Sequence, residues 1–351
     1  MAFGTLSTLD TLAASQQSIA AYGEDNAFEG IELARQAHNA IVQEMISGFI
    51  ETTTDRQRRY GGNDDMAMDE VDEFGRGDAQ KITAGVTVGF PMRLFDVSVQ
   101  WTRKFMQNAK VSELAAQFVA AQTAHIKALQ REIKRAIFTA TNSTFVDKHV
   151  DGVSLAVKAL VNADSAAIPV GPNGETFTAA SHTHYIARVG TLAATDITAA
   201  LELVIEHHNT GQAMLLINRA SEAAIRGFTS NFTPYTDVRI IPGSGTQTAT
   251  GTLNPTNLYN RAIGIFDGAE VWVKPWVPAN YMFAYINGAP KPLVLRERNP
   301  GSSGLQIAAE DEAYPLRAQT LEAEFGVGVW TRTNGAVLYT GGTSYVSPTI
   351  T

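Results

Sequence analysis

Between Lys110 and Thr139 the chain reads KVSELAAQFVAAQTAHIKALQREIKRAIFT, with no glycine or proline and many Ala, Leu, Gln, Glu, Lys and Arg residues. These residues lose least on entering a helix. Ser112 stands where an N-cap would, Glu113 falls in the first turn, and Arg131, Lys134 and Arg135 crowd the end. Charge therefore follows the helix dipole at both termini. Leu114, Phe118, Ala121, His125, Leu129, Ile133 and Ala136 recur at three- and four-residue steps and define one buried stripe. At roughly 1.5 Å per residue the helix is expected to be about 40 Å long, longer than a small domain is wide. Other elements must lie along it as on a spine.

A chain of 351 residues is long enough for two or three domains or one elaborated one. With 44% hydrophobic and 18% charged residues it has a globular composition, and it has no apolar run long enough to span a membrane. The opening MAFGTLSTLDTLAAS lacks a basic n-region, so no secretory signal is expected. No Cys is present, which excludes disulfides, thiolate nucleophiles and Cys-ligated metals and fits a reducing cytoplasm. A net charge of −8 opposes broad nucleic-acid binding, because phosphate is repelled on average.

Residues 1–25 are rich in Ser, Thr, Ala and Gln without periodicity and read as an arm that orders only on something else. A helix is expected from Asn26, with Glu29 in a capping-box-like position and Ile31, Ala34, His38, Ile41, Met45 and Phe49 as its apolar stripe. Residues 51–104 change character. Arg56, Arg58 and Arg59 come first, followed by an acidic run of Asp64, Asp65, Asp69, Glu70, Asp72 and Glu73. Alternating stretches from Ile82 to Gly89 and from Phe95 to Thr102 then make this a long, charged, two-stranded excursion leading into the spine. Such a ribbon cannot be stable alone, and its open edges invite pairing. It is either a solvated loop or an arm that docks on a neighbouring copy, Arg cluster against acidic run.

Beyond the spine, Pro169, Gly171, Pro172 and Gly174 break the chain into irregular pieces with a hairpin. Helices at about 194–208, with Leu201, Val204, Ile205 and His208 inward, and 219–228 alternate with strands at 212–217, 238–241, 262–266, 270–273 and 282–286. Asp267 and Gly268 signal a hairpin turn, and Pro242 to Asn257 a surface loop. The end is strand, with Asn334 and Gly335 expected to turn a hairpin between VGVWTRT and AVLYTG.

No dinucleotide, P-loop, zincin, nucleophile-elbow or EF-hand motif occurs. His182 and His184 can face one way on a strand, but no acidic ligand stands at a useful spacing beside them. His207 and His208 are adjacent on a helix and point apart. Glu206 with either of them makes an imaginable acid–base pair, yet nothing supplies a nucleophile or oxyanion site. No metal, cofactor or catalytic residue is expected, and the chain reads as non-enzymatic. Lys127, Arg131, Lys134 and Arg135 form a basic strip on the spine. It either faces DNA phosphate or, the favoured reading, pairs with acidic neighbours and the helix dipole. Trp272, Trp276, Tyr281 and Phe283 read as strand packing rather than a base-stacking platform.

The closing segment, YPLR and then EAEFGVGVWTRTNGAVLY, resembles the C-terminal strands of the major capsid proteins of tailed double-stranded DNA bacteriophages, which share the HK97-like fold. The order of parts agrees along the chain. The resemblance implies an α+β fold with an N-terminal arm and helix (1–50), an extended E-loop (51–104), the P-domain spine helix (105–144), an A-domain with a hairpin insertion (145–293), and P-domain strands with a C-terminal tail (294–351). It further implies a structural protein that self-assembles as hexamers and pentamers into an icosahedral shell. That shell would enclose double-stranded DNA without reading its sequence, in a virion assembled in the host bacterial cytoplasm. The E-loop charges would then set register on the adjacent subunit. Implied partners are a portal, decoration proteins and a scaffolding protein, the last expected to be separate because only a short arm precedes the first helix. Some members cross-link Lys to Asn with the help of a Glu; Lys81 and Asn334 do not align with that pattern, and no cross-link is expected. The rival readings are an encapsulin-type nanocompartment shell with the same fold and, from another class, a metal-dependent hydrolase centred on His182 and His184.

Overall fold

The computed structural model describes residues 9–60, 85–235 and 260–350, with 68, 70, 71, 73, 75, 240–242 and 247–249 between them. The chain enters through α1 (Leu9–Ala14) and α2 (Ile19–Tyr22) and turns at Gly23, φ 95°, into α3 (Glu24–Ile46). Residues 9–22 do not wait for a partner. Leu12 and Ile19 are buried in the chain's own core, and Ile19 N donates to Ala109 O just ahead of the spine. The arm expectation fails here because Leu12 seats directly on Gly30, where a Cβ would come within 2.9 Å of it. Residues 1–8 lie outside the described residues. On α3 the buried face is Ala27, Ile31, His38, Val42 and Ile46, which leaves Ile41 and Met45 exposed. Ile41/Met45 and Val42/Ile46 share one four-residue step, so periodicity cannot choose between them, and tertiary packing does. Asn26 is inside the helix, its side chain donating to Tyr22 O.

Strands β1 (Ile50–Thr53), β2 (Gln57–Tyr60), β3 (Val86–Gly89) and β4 (Arg93–Thr102) follow, then α4 (Arg103–Asn108) and α5 (Val111–Phe138). The last is the expected spine, 28 residues and so about 42 Å long. Leu114, Phe118, Ala121, His125, Leu129 and Ile133 are buried as predicted, but Lys110, not Ser112, holds the N-cap position. The middle of the chain comprises β5 (Ser143–Val146), β6 (Ser154–Val157), β7 (Tyr185–Ala187), α6 (Ala194–Ile205), β8 (Gln212–Ile217), α7 (Glu222–Arg226) and β9 (Phe232–Pro234). It continues through β10 (Ile240–Pro242), β11 (Gln247–Ala249), β12 (Arg261–Phe266), β13 (Ala269–Val273) and β14 (Tyr281–Asn287). Then β15 (Leu293–Glu297), β16 (Gln306–Ala313), β17 (Leu316–Val329) and β18 (Ala336–Tyr339) close the fold.

Among the described residues two large sheets form, β1-β15-β17-β16 with β4 also on β17, and β7-β18-β14-β8-β13-β12-β9. Alternation along β8 and β14 divides the interior. Leu216, Phe283 and Tyr285 face α5, the end of α3 and the first sheet; Leu215, Ile217, Met282 and Ile286 face α6 and α7. Central strands buried on both faces read as near-continuous apolar runs, as in YMFAYI. A third cluster packs α1, α2 and the start of α3 on the N-terminal half of α5 through Leu12, Ile19, Leu114 and Phe118. Each buried side chain of this size contributes about 1.5–3 kcal/mol.

Three expectations are corrected. Helix α6 stops at Ile205, which is exposed, instead of running to His208. Strand β4 does not return along β3: β3 pairs with β2, while β4 pairs with β17 from Thr102↔Leu316 to Arg93↔Phe325. Its apolar face needs a core, with Phe95 against Phe325 (ring centroids 4.8 Å apart) and Trp101 stacked on Phe118 (6.0 Å). Asn334-Gly335 turns no hairpin, since β17 and β18 belong to different sheets. The buried Asn334 amide instead accepts from Ile286 N (2.8 Å) and donates to Ile286 O (3.0 Å) and Pro290 O (2.8 Å), standing in for a strand neighbour at the end of β14. Beside it the buried Arg332 donates to Ala159 O (2.7 Å) and Asn162 Oδ1 (2.9 Å) and pairs with Asp164 at 3.1 Å. The Asp267-Gly268 hairpin between β12 and β13 forms as predicted.

Candidate functional site

The antiparallel β2–β3 pair is the base of an extension, with residues 61–85 between its strands. Arg56 grips Asp151 with two bonds of 2.7 and 2.6 Å, and its Nε lies 3.6 Å from Asp147. Arg58 donates to Asp55 (2.6 Å), Thr53 (2.8 Å) and Glu51 (3.1 Å) and covers the Trp330 ring. Hydrogen bonds from these arginines lower the pKa of Asp151 and of Asp55. Tyr60, Val88, Phe90 and Val294 bury together under Trp330. Beneath them the buried Arg296 donates to Phe90 O (2.9 Å) and to the wholly buried Asp147 (2.8 Å). The glycines of FGVGV belong to this root: a Cβ on Gly326 would lie 2.2 Å from Pro91 O, and one on Gly328 2.8 Å from Phe90.

Arg56 and Arg58 thus serve the root of the extension within their own chain. Arg59 is exposed, with no ion pair to a described residue. In the acidic run, Glu70 and Glu73 are exposed, while Asp64, Asp65, Asp69 and Asp72 lie outside the described residues, as does Lys81. Met68 is fully exposed and Val71 largely so. Sequence reasoning missed these two apolar side chains because they are isolated within a charge run.

On α5, Lys127 is exposed and Arg131, Lys134 and Arg135 are half-buried. The buried Glu132 accepts from Arg135 and lies 3.4 Å from Arg93 Nε and 3.9 Å from Arg131 Nε. Arg131 also covers the Phe95 ring at 5.4 Å. Two of the four cations are therefore neutralised in place, and Lys127 and Lys134 have no ion pair to a described residue. Trp276 stacks on Phe49, Tyr281 meets Phe138 edge to face, Phe283 is fully buried and Trp272 packs partly buried against the same core, so these aromatics pack as expected.

The histidines depart from their sequence reading. His182 and His184 lead into β7, and the turn that ends α6 brings Glu206 and His207 to them. His182 Nε2 lies 3.2 Å from His184 Nε2, 3.1 Å from His207 Nε2 and 3.2 Å from Glu206 Oε1. The acidic group absent from the local sequence is thus supplied by another element. His208 points away, 3.1 Å from Thr333 Oγ1. Phe177 covers the group, its ring centroid 4.0 Å from that of His207. Burial lowers the pKa of all three imidazoles, His207 to about 3, and raises that of Glu206, helped by Glu175 and Glu202.

No family model and no curated protein matches the chain. A solved structure from Mycobacterium phage Patience superposes on 98% of this chain and 93% of its own, with a TM-score of 0.65 at 20% sequence identity. The fold is HK97-like. A cyanophage A-1(L) capsid asymmetric unit (TM-score 0.46, 11% identity, 86% and 93% covered) is a looser likeness. So is the holo-SrpI encapsulin complex from Synechococcus elongatus (TM-score 0.43, 12% identity, 88% and 90% covered). At these identities the likeness is one of fold.

Proposed function

We propose that this chain is the major capsid protein of a tailed double-stranded DNA bacteriophage, a structural subunit forming the hexamers and pentamers of an icosahedral shell. The observation that carries the reading is the extension. Its root is fixed by Arg56, Arg58, Asp147 and Arg296, while Met68, Glu70, Val71 and Glu73 beyond the root are exposed in the lone subunit. Exposed apolar and charged side chains beyond a fixed root suit a neighbouring copy, where charge sets register and apolar contact supplies affinity. In this reading the E-loop is the part from β2 to β3, and β4 belongs to the P-domain sheet. Leu33, Ile41 and Met45, exposed along α3, add a second apolar row for an adjacent subunit. Lys127 and Lys134 are the cations left for packaged DNA, which is enclosed rather than read. In this reading a scaffolding protein, a portal and decoration proteins are the further partners, and no catalysis is assigned.

Electron microscopy of the purified protein, alone and co-expressed with a candidate scaffolding protein, tests this. Uniform shells or capsomer rings are expected. A combined Arg59→Glu, Met68→Glu, Glu70→Lys variant should melt like the parent yet form neither. Normal shells from the variant would refute the docking role, and a monodisperse monomer or dimer of the parent under both conditions would refute the shell.

A further inference from the structure

Three imidazole nitrogens and one carboxylate oxygen converge beside β7 with all four atoms within 4.8 Å of one another. Their protons do not suffice to hold them there. His184 Nδ1 lies 2.7 Å from Gly335 O, which can only accept, so Nδ1 carries the hydrogen and Nε2 presents a lone pair. His182 Nε2 faces that lone pair, His207 Nε2 and Glu206 Oε1 at once. In either charge state it offers at most one hydrogen to these three, and Glu206 Oε1 is buried without a hydrogen bond. Even with a second hydrogen on His207 Nε2, whose tautomer no bond at its buried Nδ1 fixes, the four facing atoms lack enough hydrogens to satisfy one another, and such a cluster is a place for a cation.

Three of the six separations match a tetrahedral site, a fourth is wider, and all lie within 4.8 Å, so the ligands need close only slightly on an ion. Zn–N and Zn–O bonds of about 2.0–2.1 Å put tetrahedral ligands about 3.3 Å apart, against 3.1, 3.2 and 3.2 Å for the contacts of His182 Nε2 and 3.8 Å between Glu206 Oε1 and His207 Nε2. Imidazole donors with one carboxylate suit zinc-type ions better than calcium or magnesium. The bond from His184 Nδ1 to Gly335 O is the outer contact that fixes a ligand's tautomer and orientation, and Phe177 shields one side.

We propose that His182, His184, His207 and Glu206 bind one divalent transition-metal ion of the zinc type in a closed tetrahedral site with a structural role. With all four positions filled by protein there is no open position for a reacting water. The ion fastens the segment before β7 to the end of α6, against the crossover at Gly335. This inference is independent of the shell reading.

The test uses the full-length, tag-free protein. Elemental analysis should find one zinc per chain, and chelator-stripped protein titrated with Co2+ should develop the intense visible bands of a tetrahedral complex, bleached by equimolar Zn2+. His182→Gln and Glu206→Gln replace partly exposed ligands and should fold. Each should weaken Co2+ binding by more than about tenfold, the floor for losing even an outer hydrogen-bond partner of a metal ligand. His149→Gln, an exposed histidine outside the cluster, should bind like the parent. Absence of tetrahedral bands in the parent, or equal loss in His149→Gln and His182→Gln, overturns the site.

Discussion

Replacing Asp147 by Ala removes the carboxylate on which the root of the extension turns. Asp147 is wholly buried and Arg296 nearly so, with a 2.8 Å bond between them. Without Asp147, Arg296 keeps only its bond to Phe90 O, and its buried charge is left with only the weaker field of Asp151, which Arg56 already pairs. Breaking one partner of a buried pair costs about 3–5 kcal/mol. Arg56 loses a contact at 3.6 Å but keeps Asp151, so it adds little. With an unfolding entropy of about 2.1 cal/mol/K per residue, that loss lowers Tm by about 4–7 °C for a chain of this length. The pair itself is incompletely satisfied, because Asp147 Oδ1 and Arg296 Nε are buried without hydrogen bonds. The double variant Asp147→Ala/Arg296→Met should therefore return to within about 1–2 kcal/mol of the parent, a coupling of at least about 2 kcal/mol. Urea unfolding of the purified protein, followed by tryptophan fluorescence, measures all three variants. A loss below about 1 kcal/mol for Asp147→Ala, or a double variant equal to the sum of the singles, refutes the reasoning.

Two further outcomes follow from packing and protonation. Gly326→Ala places a methyl 2.2 Å from Pro91 O and should cost at least the usual overpacking penalty of about 1–3 kcal/mol. Gly342→Ala, whose nearest contact is 3.6 Å away, should be near neutral by the same urea assay, and equal effects would dismiss the close approach. The buried His38–His125 pair makes stability fall in acid. Burial first, and then His125, lowers the His38 pKa from 6.5 to about 4, so below pH 6.5 the unfolded chain binds more protons than the folded one. Its contribution is complete above pH 6.5 and is lost as pH falls toward 4, by up to about 3 kcal/mol. His38→Gln should flatten that part of the stability–pH curve between pH 7 and 4.5; an unchanged slope would remove His38 from the account.

The spine was legible because its information is local. A Gly- and Pro-free run fixes a helix, and one stripe fixes its face. The HK97-like fold followed from a resemblance in EAEFGVGVWTRTNGAVLY and the order of parts, and the fold agrees. What failed was non-local. Nothing near Phe95 says that its partner is Phe325, and Asn334-Gly335 has a turn's chemistry but not a turn's place. Ile41 and Val42 are equal candidates for a buried face until α3 has something to pack on. Glu132 reads as an ordinary helix former, yet it gathers Arg93 and Arg135. The histidine cluster joins two segments with no shared spacing; its only trace in the sequence is HTH in one place and EHH at the end of a predicted helix in another.

The buried polar crossover from Thr331 to Asn334 has a mechanical consequence. Arg332 clamps the chain to residues 159–164 while Asn334 clamps it to the end of β14, so the joint between the two sheets has no slack. A torque on the extension enters β15 through Arg296 and passes along β17 and this joint into β14 without meeting a hinge. Any bending of the chain is then left to its margins, such as the exposed strand β16 and its turn into β17.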